Sequence, residues 1–329
     1  MQGNGGAAGG VSRARVVLST GSLYNLGLDR AFELASSCGY DGVEVLVDAR
    51  PDTYDPGYLR RLVKRWDVPV LALHTPFAPR VDGWEATSER RVERTVRLAQ
   101  KLGAEVVVAH APLRWHIVRF QVHSTWGQRG LHFILPLTNR AEERYLRWLQ
   151  EELPALEESS GVTVGVENMP AGRMFGTRMR HYRVTTVEEC LLWRHLVLDT
   201  THWGTWGVDP AEVYEQVRDR VMHVHLSDFD GREHRMPFVG HLGLDRLVGA
   251  LGAAGYAGLV SVEVDPWAIA GGQWGEKRLA PILGESLRRI RSLLIHPSHS
   301  DTPQAASTLR PFPPEACVGY AKRKGAFGL

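Results

Sequence analysis

The chain has 329 residues, of which 43% are hydrophobic and 23% charged, with a formal net charge of +2. That composition suits a globular protein with a full core, and the near-neutral balance gives no electrostatic case for a nucleic acid or membrane partner. No apolar run approaches the ~18–20 residues of a membrane span. Cys38, Cys190 and Cys317 show neither zinc-knuckle nor disulfide spacing, so a reducing cytoplasm is the expected setting.

The opening MQGNGGAAGG is Gly-rich and lacks the apolar stretch of a secretory signal, so residues 1–14 read as a disordered lead. From residue 16 strands and helices alternate. VVLST (16–20) is a strand, and LDRAFELASSC (28–38) an amphipathic helix stopped by Gly39. GVEVLV (42–47) is the second strand. The helix 56–66 follows, with Arg60, Arg61, Lys64 and Arg65 on a solvated face. VPVLALH (68–74) is the third strand. The helix 88–103 has Ser88 as its expected N-cap, Arg and Glu facing outward, and Gly103 as its stop. AEVVVAH (104–110) is the fourth strand.

An interval at 111–139 then interrupts the rhythm. It carries Trp115, His116, Phe120, His123, Trp126 and His132. Long loops in compact domains are usually functional or disordered, and this many large side chains argue against disorder. Two readings stand: a cover over the active face, with Trp115 and Trp126 packing above substrate, or a patch that packs on a partner subunit in a homo-oligomer.

Beyond it the sequence predicts a helix at 140–158, a strand at 162–167, a helix near 185–194 and a strand at 195–199. The helix 210–219 has Asp209 as cap and Pro210 in its first turn. A strand at 221–226, a helix at 242–254, a strand at 259–264 and a helix at 276–294 complete the series. Residues 296–329, opening with a Pro-, Ser- and Thr-rich stretch, read as a flexible tail. Nearly every strand is a continuous apolar run, the mark of a parallel sheet buried on both faces. Eight such units over 15–295 predict one α/β domain, a closed (β/α)8 TIM barrel. The rival, a doubly wound open sheet, would want a Gly-rich phosphate turn after its first strand. TGSLYNLG (20–27) lacks that spacing.

Acids or imidazoles close seven of the strands: Glu44, His74, His110, Glu167, Asp199, His225 and Glu263. Charged groups rarely occupy buried strand ends unless paired or bound to metal. Parallel barrel strands deliver their C-terminal ends to one mouth. Glu167, Asp199, His225 and Glu263 are therefore expected to converge as a mixed O/N site for a divalent cation. Period-two parity puts His223 on the face of His225, one layer deeper. Asp199 could instead be a simple helix cap, and His202 follows it by three residues in what reads as a loop.

The segments DGVEV (41–45), LHTPF (73–77), AHAP (109–112), VGVEN (164–168), LDTTH (198–202), HVHLSDFDGREH (223–234) and VEVD (262–265) together resemble the xylose isomerase-like TIM barrel superfamily. That group holds sugar and sugar-phosphate isomerases and epimerases, and also endonuclease IV. The resemblance implies one divalent metal (Mn²⁺, Mg²⁺ or Zn²⁺) on Glu167, Asp199, His225 and Glu263, with Glu167 and Glu263 as the catalytic acid–base pair. It implies substrate contacts from His202 and from the loop after His225, which contains Asp228. Glu44 and Trp115 are further substrate-binding candidates. In the endonuclease branch, histidines matching His74 and His110 also hold metal, sharing the glutamate that matches Glu167, so these two are candidates for a second metal or for substrate.

The expected activity is metal-dependent isomerisation or epimerisation of a sugar, sugar phosphate or keto-polyol by proton transfer next to a carbonyl. A keto-inositol dehydratase would begin with the same proton abstraction. An endonuclease IV-like phosphodiesterase acting on abasic DNA is a different class. Asp228, His234 and His241 could serve it as ligands, but FDGREHRMPFVGHL (229–242) lacks a close Asp-x-His pair. A non-catalytic metal- or sugar-binding barrel would not need two flanking carboxylate bases.

Overall fold

Eight parallel strands close into a barrel in the computed structural model, which describes residues 14–76, 81–115, 140–174, 177–270 and 278–295. The barrel strands are β1 (Arg15–Ser19), β2 (Gly42–Leu46), β3 (Val70–His74), β4 (Val106–His110), β5 (Thr163–Glu167), β6 (Leu196–Asp199), β7 (Val221–Leu226) and β8 (Leu259–Val262). Each pairs with the next in sequence, and β8 returns to β1 through Arg15↔Leu259 to Leu18↔Val262. The expected (β/α)8 barrel is the fold.

Local chemistry sets the surrounding helices. Pro56–Trp66 begins where Asp55 accepts a hydrogen bond from Gly57 N at 2.8 Å, with proline in the first turn. Its Leu59 and Leu62 are buried, while Arg60, Arg61, Lys64 and Arg65 are exposed, as their spacing predicts. Gly39 and Gly103 end their helices in the left-handed conformation. Asp209 caps Pro210–Val217 by accepting from Ala211 N.

Several expectations need correction. Thr87, not Ser88, occupies the cap position of Ser88–Leu102. In that helix Glu89 and Arg91 are buried rather than outward. Arg91 donates to the carbonyls of Glu85 and Pro76, and Glu89 accepts from Arg144. The helix expected at 140–158 is two, Arg140–Glu151 and Leu153–Ser160, with Pro154 at the start of the second. Proline removes an N–H and cannot continue a helix. The helix near 185–194 shrinks to Val187–Cys190. The LDTTH segment does not run into a loop, because Thr200–Trp206 forms a helix. A short hairpin, Gly172–Met174 with Thr177–Met179, has no counterpart in the sequence pattern.

The main core lies between the strands and the helices, with Phe32, Leu59, Val96, Tyr214, Leu247 and Leu283 among its buried members. A separate small cluster of Val17, Leu71, Ala72, Val106 and Leu259 comes from the first halves of the strands. Gly165 of β5 is a point of close approach. A Cβ there would sit 2.6 Å from Val197 Cγ2 and 2.9 Å from Met222 Sδ. Among the described residues no helix is long and apolar enough to cross a membrane. The lead at 1–13, the tail from 296 and residues 116–139 of the interval, with Trp126 and the cover expected there, lie outside the described residues.

Candidate metal centre

The strand registers bring the expected ligands together. Asp199 is opposite His225 across β6 and β7, and Glu167 is opposite His110 across β5 and β4. Glu263 lies one residue past β8 and still donates its N–H to Leu226 O. Ligand atoms of Glu167, Asp199, His225 and Glu263 all fall within 4.8 Å of one another.

His225 is the hub. Its Nδ1 is 2.8 Å from Glu167 Oε1, 2.8 Å from Glu263 Oε2 and 3.8 Å from Asp199 Oδ2. Its Nε2 points the other way, to Glu44 Oε1 at 3.2 Å. Burial alone would push this imidazole down, but Glu263, Glu44 and Glu167 outweigh it and raise its pKa well above the usual value. The same contact acts in reverse on the acids. Burial opposes ionisation of Glu167, yet His225 and the hydrogen bonds from neighbouring histidines hold it well below the usual range. Glu263 is lowered to about 2, with His225 overcoming burial. Asp199 behaves differently. Burial raises it to about 7 against the pull of His234, and the charges of Glu167 and Glu263 push the same way.

Asp199 combines two roles that the sequence leaves as alternatives. Its Oδ1 accepts from His202 N at 2.8 Å and caps the helix Thr200–Trp206. Its Oδ2 is buried with no hydrogen-bond partner. Like charges about 4 Å apart repel by roughly 4 kcal/mol at an effective dielectric of 20. Three carboxylates around one point exceed the single positive charge that His225 can supply, which favours a further cation. Three carboxylates, one imidazole and a buried Asp199 oxygen lacking a hydrogen-bond partner fit a divalent metal, and these residues would hold it.

Besides Glu44, His223 and His225, two further groups share members with this one. His74, His110 and Glu167 form the first. His110 Nε2 is 3.1 Å and His74 Nε2 3.8 Å from Glu167 Oε2, and the two rings meet edge to face at 4.8 Å. His74 Nδ1 is 2.7 Å from Thr75 O, which places a proton on that nitrogen and leaves Nε2 for the cluster. Asp199, His202 and His234 form the second. His202 Nδ1 is 2.7 Å from Asn168 O and 3.7 Å from Asp199 Oδ2.

The remaining sequence candidates fall in different places. Glu44 does not close β2. Leu46 is the residue opposite His74, and Glu44 pairs with Ala72 two positions deeper. Its carboxylate is fully buried and lies beneath His225, away from the open mouth. Asp228 is also turned inward. Its Oδ1 accepts from Phe229 N and Leu242 N and its Oδ2 from Gly240 N, so it organises the loop after β7. Both carboxylates thus make supporting contacts inside the protein. Trp115 is 37% exposed at the start of the interval after β4.

Asn168 gains a weight that its sequence position does not give it, and His234, a ligand candidate only for the phosphodiesterase reading, joins the site. Asn168 follows Glu167 directly. It accepts from Asp199 N at 2.7 Å and donates to Asp199 O at 3.1 Å, tying the ends of β5 and β6 together. The Glu-Asn pair at a strand end is the available signal. His234 stands at positive φ (53°), donates its N–H to Thr201 Oγ1 and meets the His202 ring edge to face at 5.5 Å. Only the loop's fold brings it there, eight residues after the end of β7.

Comparison with known proteins agrees with the fold. Uncharacterized proteins of Mycobacterium bovis and Mycobacterium tuberculosis are each 31% identical over 306 residues, covering 85% of this chain and 98% of theirs. Among solved structures, a D-tagatose 3-epimerase-like protein superposes with a TM-score of 0.57 at 20% identity, over 84% of this chain and 98% of its own. A 3-keto-D-glucoside 4-epimerase from E. coli gives 0.58 at 17%, over 85% and 100%. A D-psicose 3-epimerase studied in the presence of D-fructose gives 0.61 at 14%, over 85% and 99%. The pattern of the xylose isomerase-like TIM barrel matches residues 32–293, and the chain belongs to that family.

Proposed function

We propose that the protein is a divalent-metal-dependent isomerase or epimerase acting on a sugar, sugar phosphate or keto-polyol. One observation carries the reading: side-chain ligand atoms of Glu167, Asp199, His225 and Glu263 meet at the C-terminal mouth of the barrel, and the buried Asp199 Oδ2 among them lacks a hydrogen-bond partner. The epimerases among the structural neighbours support the substrate class.

A cation bound there would polarise a carbonyl or hydroxyl oxygen of the substrate. The protein's own contribution is a pair of carboxylates. Glu167 and Glu263 come from the ends of β5 and β8, with β6 and β7 between them, so they reach one point from different directions. One removes the proton from the carbon next to the carbonyl, and the other returns it. Glu263 keeps 19% of its side chain open while Glu167 keeps 1%. Glu263 is therefore the base more accessible from the mouth. His202, held by Asn168 and by the helix that Asp199 caps, would be the group to meet a substrate hydroxyl.

The test is metal analysis of the purified protein, then incubation with a panel of ketoses in deuterated water. A bound divalent ion and solvent deuterium at an α-carbon are expected. A protein that retains no divalent metal and exchanges no α-proton would remove the proposal.

A second reading has one specific observation in its favour. The groups His74–His110–Glu167 and Asp199–His202–His234 flank the central site and share a carboxylate with it. A row of adjoining metal sites suits phosphodiester cleavage. Cleavage of an abasic-site oligonucleotide, with more than one metal per chain, would favour that chemistry over proton transfer.

A further inference from the structure

Beneath the candidate metal centre lies a polar layer that the proposed chemistry does not use. Glu44, His223 and His225 are all fully buried. Glu44 Oε2 is 2.7 Å from His223 Nε2, and Glu44 Oε1 is 3.2 Å from His225 Nε2. Ser19 of β1, opposite Glu44, and Ser261 of β8, opposite His225, complete the layer with buried hydroxyls. A buried carboxylate in a barrel interior is costly unless it is paired. Its persistence at this depth asks for a reason.

The chemistry of the acceptor supplies one. An ionised carboxylate can only accept, so each imidazole nitrogen facing Glu44 must carry a proton. For His223 this fixes the hydrogen on Nε2 and leaves Nδ1 as a bare acceptor. Nδ1 is indeed buried with no hydrogen-bond partner. For His225 it assigns a hydrogen to Nε2 and leaves Nδ1 to face Glu167, Asp199 and Glu263. His225 Nε2 and Glu44 Oε1 are both buried and form no well-aligned hydrogen bond, so their 3.2 Å approach is a charge contact. The two histidines are i and i+2 on β7, and their rings meet edge to face at 4.9 Å. Glu44 therefore spans two successive inward positions of one strand from a strand across the barrel.

We propose that Glu44 is a positioning residue: from the layer below, it holds the Nε2 edge of His225 so that Nδ1 is presented to the cation held by Glu167, Asp199 and Glu263, while His223 anchors Glu44. A histidine that ligates a metal commonly donates its other ring N–H to a carboxylate, which sets ring orientation and raises ligand basicity. The inference rests on the metal reading above, but it can be tested separately.

Two variants separate positioning from packing. Glu44→Gln keeps the volume but replaces one accepting oxygen with a donor, so the two facing N–H groups can no longer both be satisfied. His223→Gln keeps an N–H toward Glu44 and leaves the Glu44–His225 contact in place. Mn²⁺ affinity measured by titration calorimetry should fall about 10- to 100-fold in Glu44→Gln, the usual effect of losing such a partner. In His223→Gln it should stay close to that of the parent. Thermal melts of the metal-free proteins report folding. Proton NMR of metal-free protein provides a readout that needs no metal. A slowly exchanging, downfield imidazole proton of His225 Nε2 should be present in the parent and His223→Gln, and absent or shifted in Glu44→Gln.

Unchanged Mn²⁺ affinity in Glu44→Gln would overturn the proposal. So would equal losses in both variants accompanied by equal falls in melting temperature, because that pattern means packing alone. A parent protein that binds no divalent metal would defeat the metal reading instead. The His225 proton signal would then still decide whether Glu44 holds the ring.

Discussion

Glu263 Oε2 lies 2.8 Å from His225 Nδ1, the same nitrogen that Glu167 Oε1 approaches to 2.8 Å. Two acids from strands on either side of β6 and β7 thus share one imidazole edge, and Asp199 Oδ2 stands 3.8 Å from it. The arrangement gives the two glutamates a common focus but unequal access, since only Glu263 keeps an opening toward the mouth.

That inequality makes Glu263 the first residue to test. Glu263→Gln retains an oxygen that can face the cation but cannot accept the substrate's proton. Proton exchange at the α-carbon should fall by at least the ~10²-fold typical of losing a general base. Metal content should fall less. Turnover equal to the parent's would exclude Glu263 from acid–base work.

Asp199 offers a cleaner dissection, because its two oxygens do different things. Asn at this position still accepts from His202 N and keeps the helix cap. Ala loses the cap as well, which costs about 1 kcal/mol. In the parent, Mn²⁺ at 100 times its dissociation constant should stabilise the fold by roughly 2.7 kcal/mol. Asp199→Asn should melt near the metal-free parent and show little of that gain. Asp199→Ala should melt lower still. A full metal-induced shift in Asp199→Asn would show that the carboxylate is not a ligand.

Much of this site is legible in the sequence, for a physical reason. Strands have a period of two, barrels gather their C-terminal ends, and a buried acid at such an end is costly unless it is paired or binds a cation. Glu167, Asp199, His225 and Glu263 follow from that logic alone. The depth of Glu44 does not, because it depends on register. Leu46 rather than Glu44 is level with His74, and nothing in GVEVLV announces the irregularity between Val43 and Glu44. His202 reads as a loop residue because two β-branched threonines precede it, and the cap supplied by Asp199 outweighs their reluctance to enter a helix. Asp228 resembles a mouth residue by position. Three backbone N–H groups from its own loop turn it inward instead.

Gly165 tests how tightly the barrel is packed below Glu167. A Cβ would meet Val197 and Met222 at distances that side chains do not tolerate. Met222 can shift, but Val197 is a stiff β-branched residue in the adjoining strand. Gly165→Ala should cost about 1–3 kcal/mol, read as a lower urea midpoint at constant slope. Gly165 also lies two residues before Glu167 on the same strand face, so metal affinity should weaken with it. An unchanged midpoint would mean that the barrel interior has room to spare.

The last prediction concerns the divided loyalty of Glu167. Its Oε1 faces His225, while its Oε2 faces His110 at 3.1 Å and His74 at 3.8 Å. A carboxylate so placed can bridge two cations or can serve one cation and two histidines that hold substrate. If the histidines carry a second metal, the purified protein should contain close to two equivalents and His110→Ala close to one. The second equivalent should also be the first removed by a chelator, since His110 leaves 32% of its side chain open, more than the 19% of Glu263, the most open member of the central group. A single equivalent in both proteins would assign His74 and His110 to the substrate instead. His110→Ala should then raise KM and leave the metal content untouched.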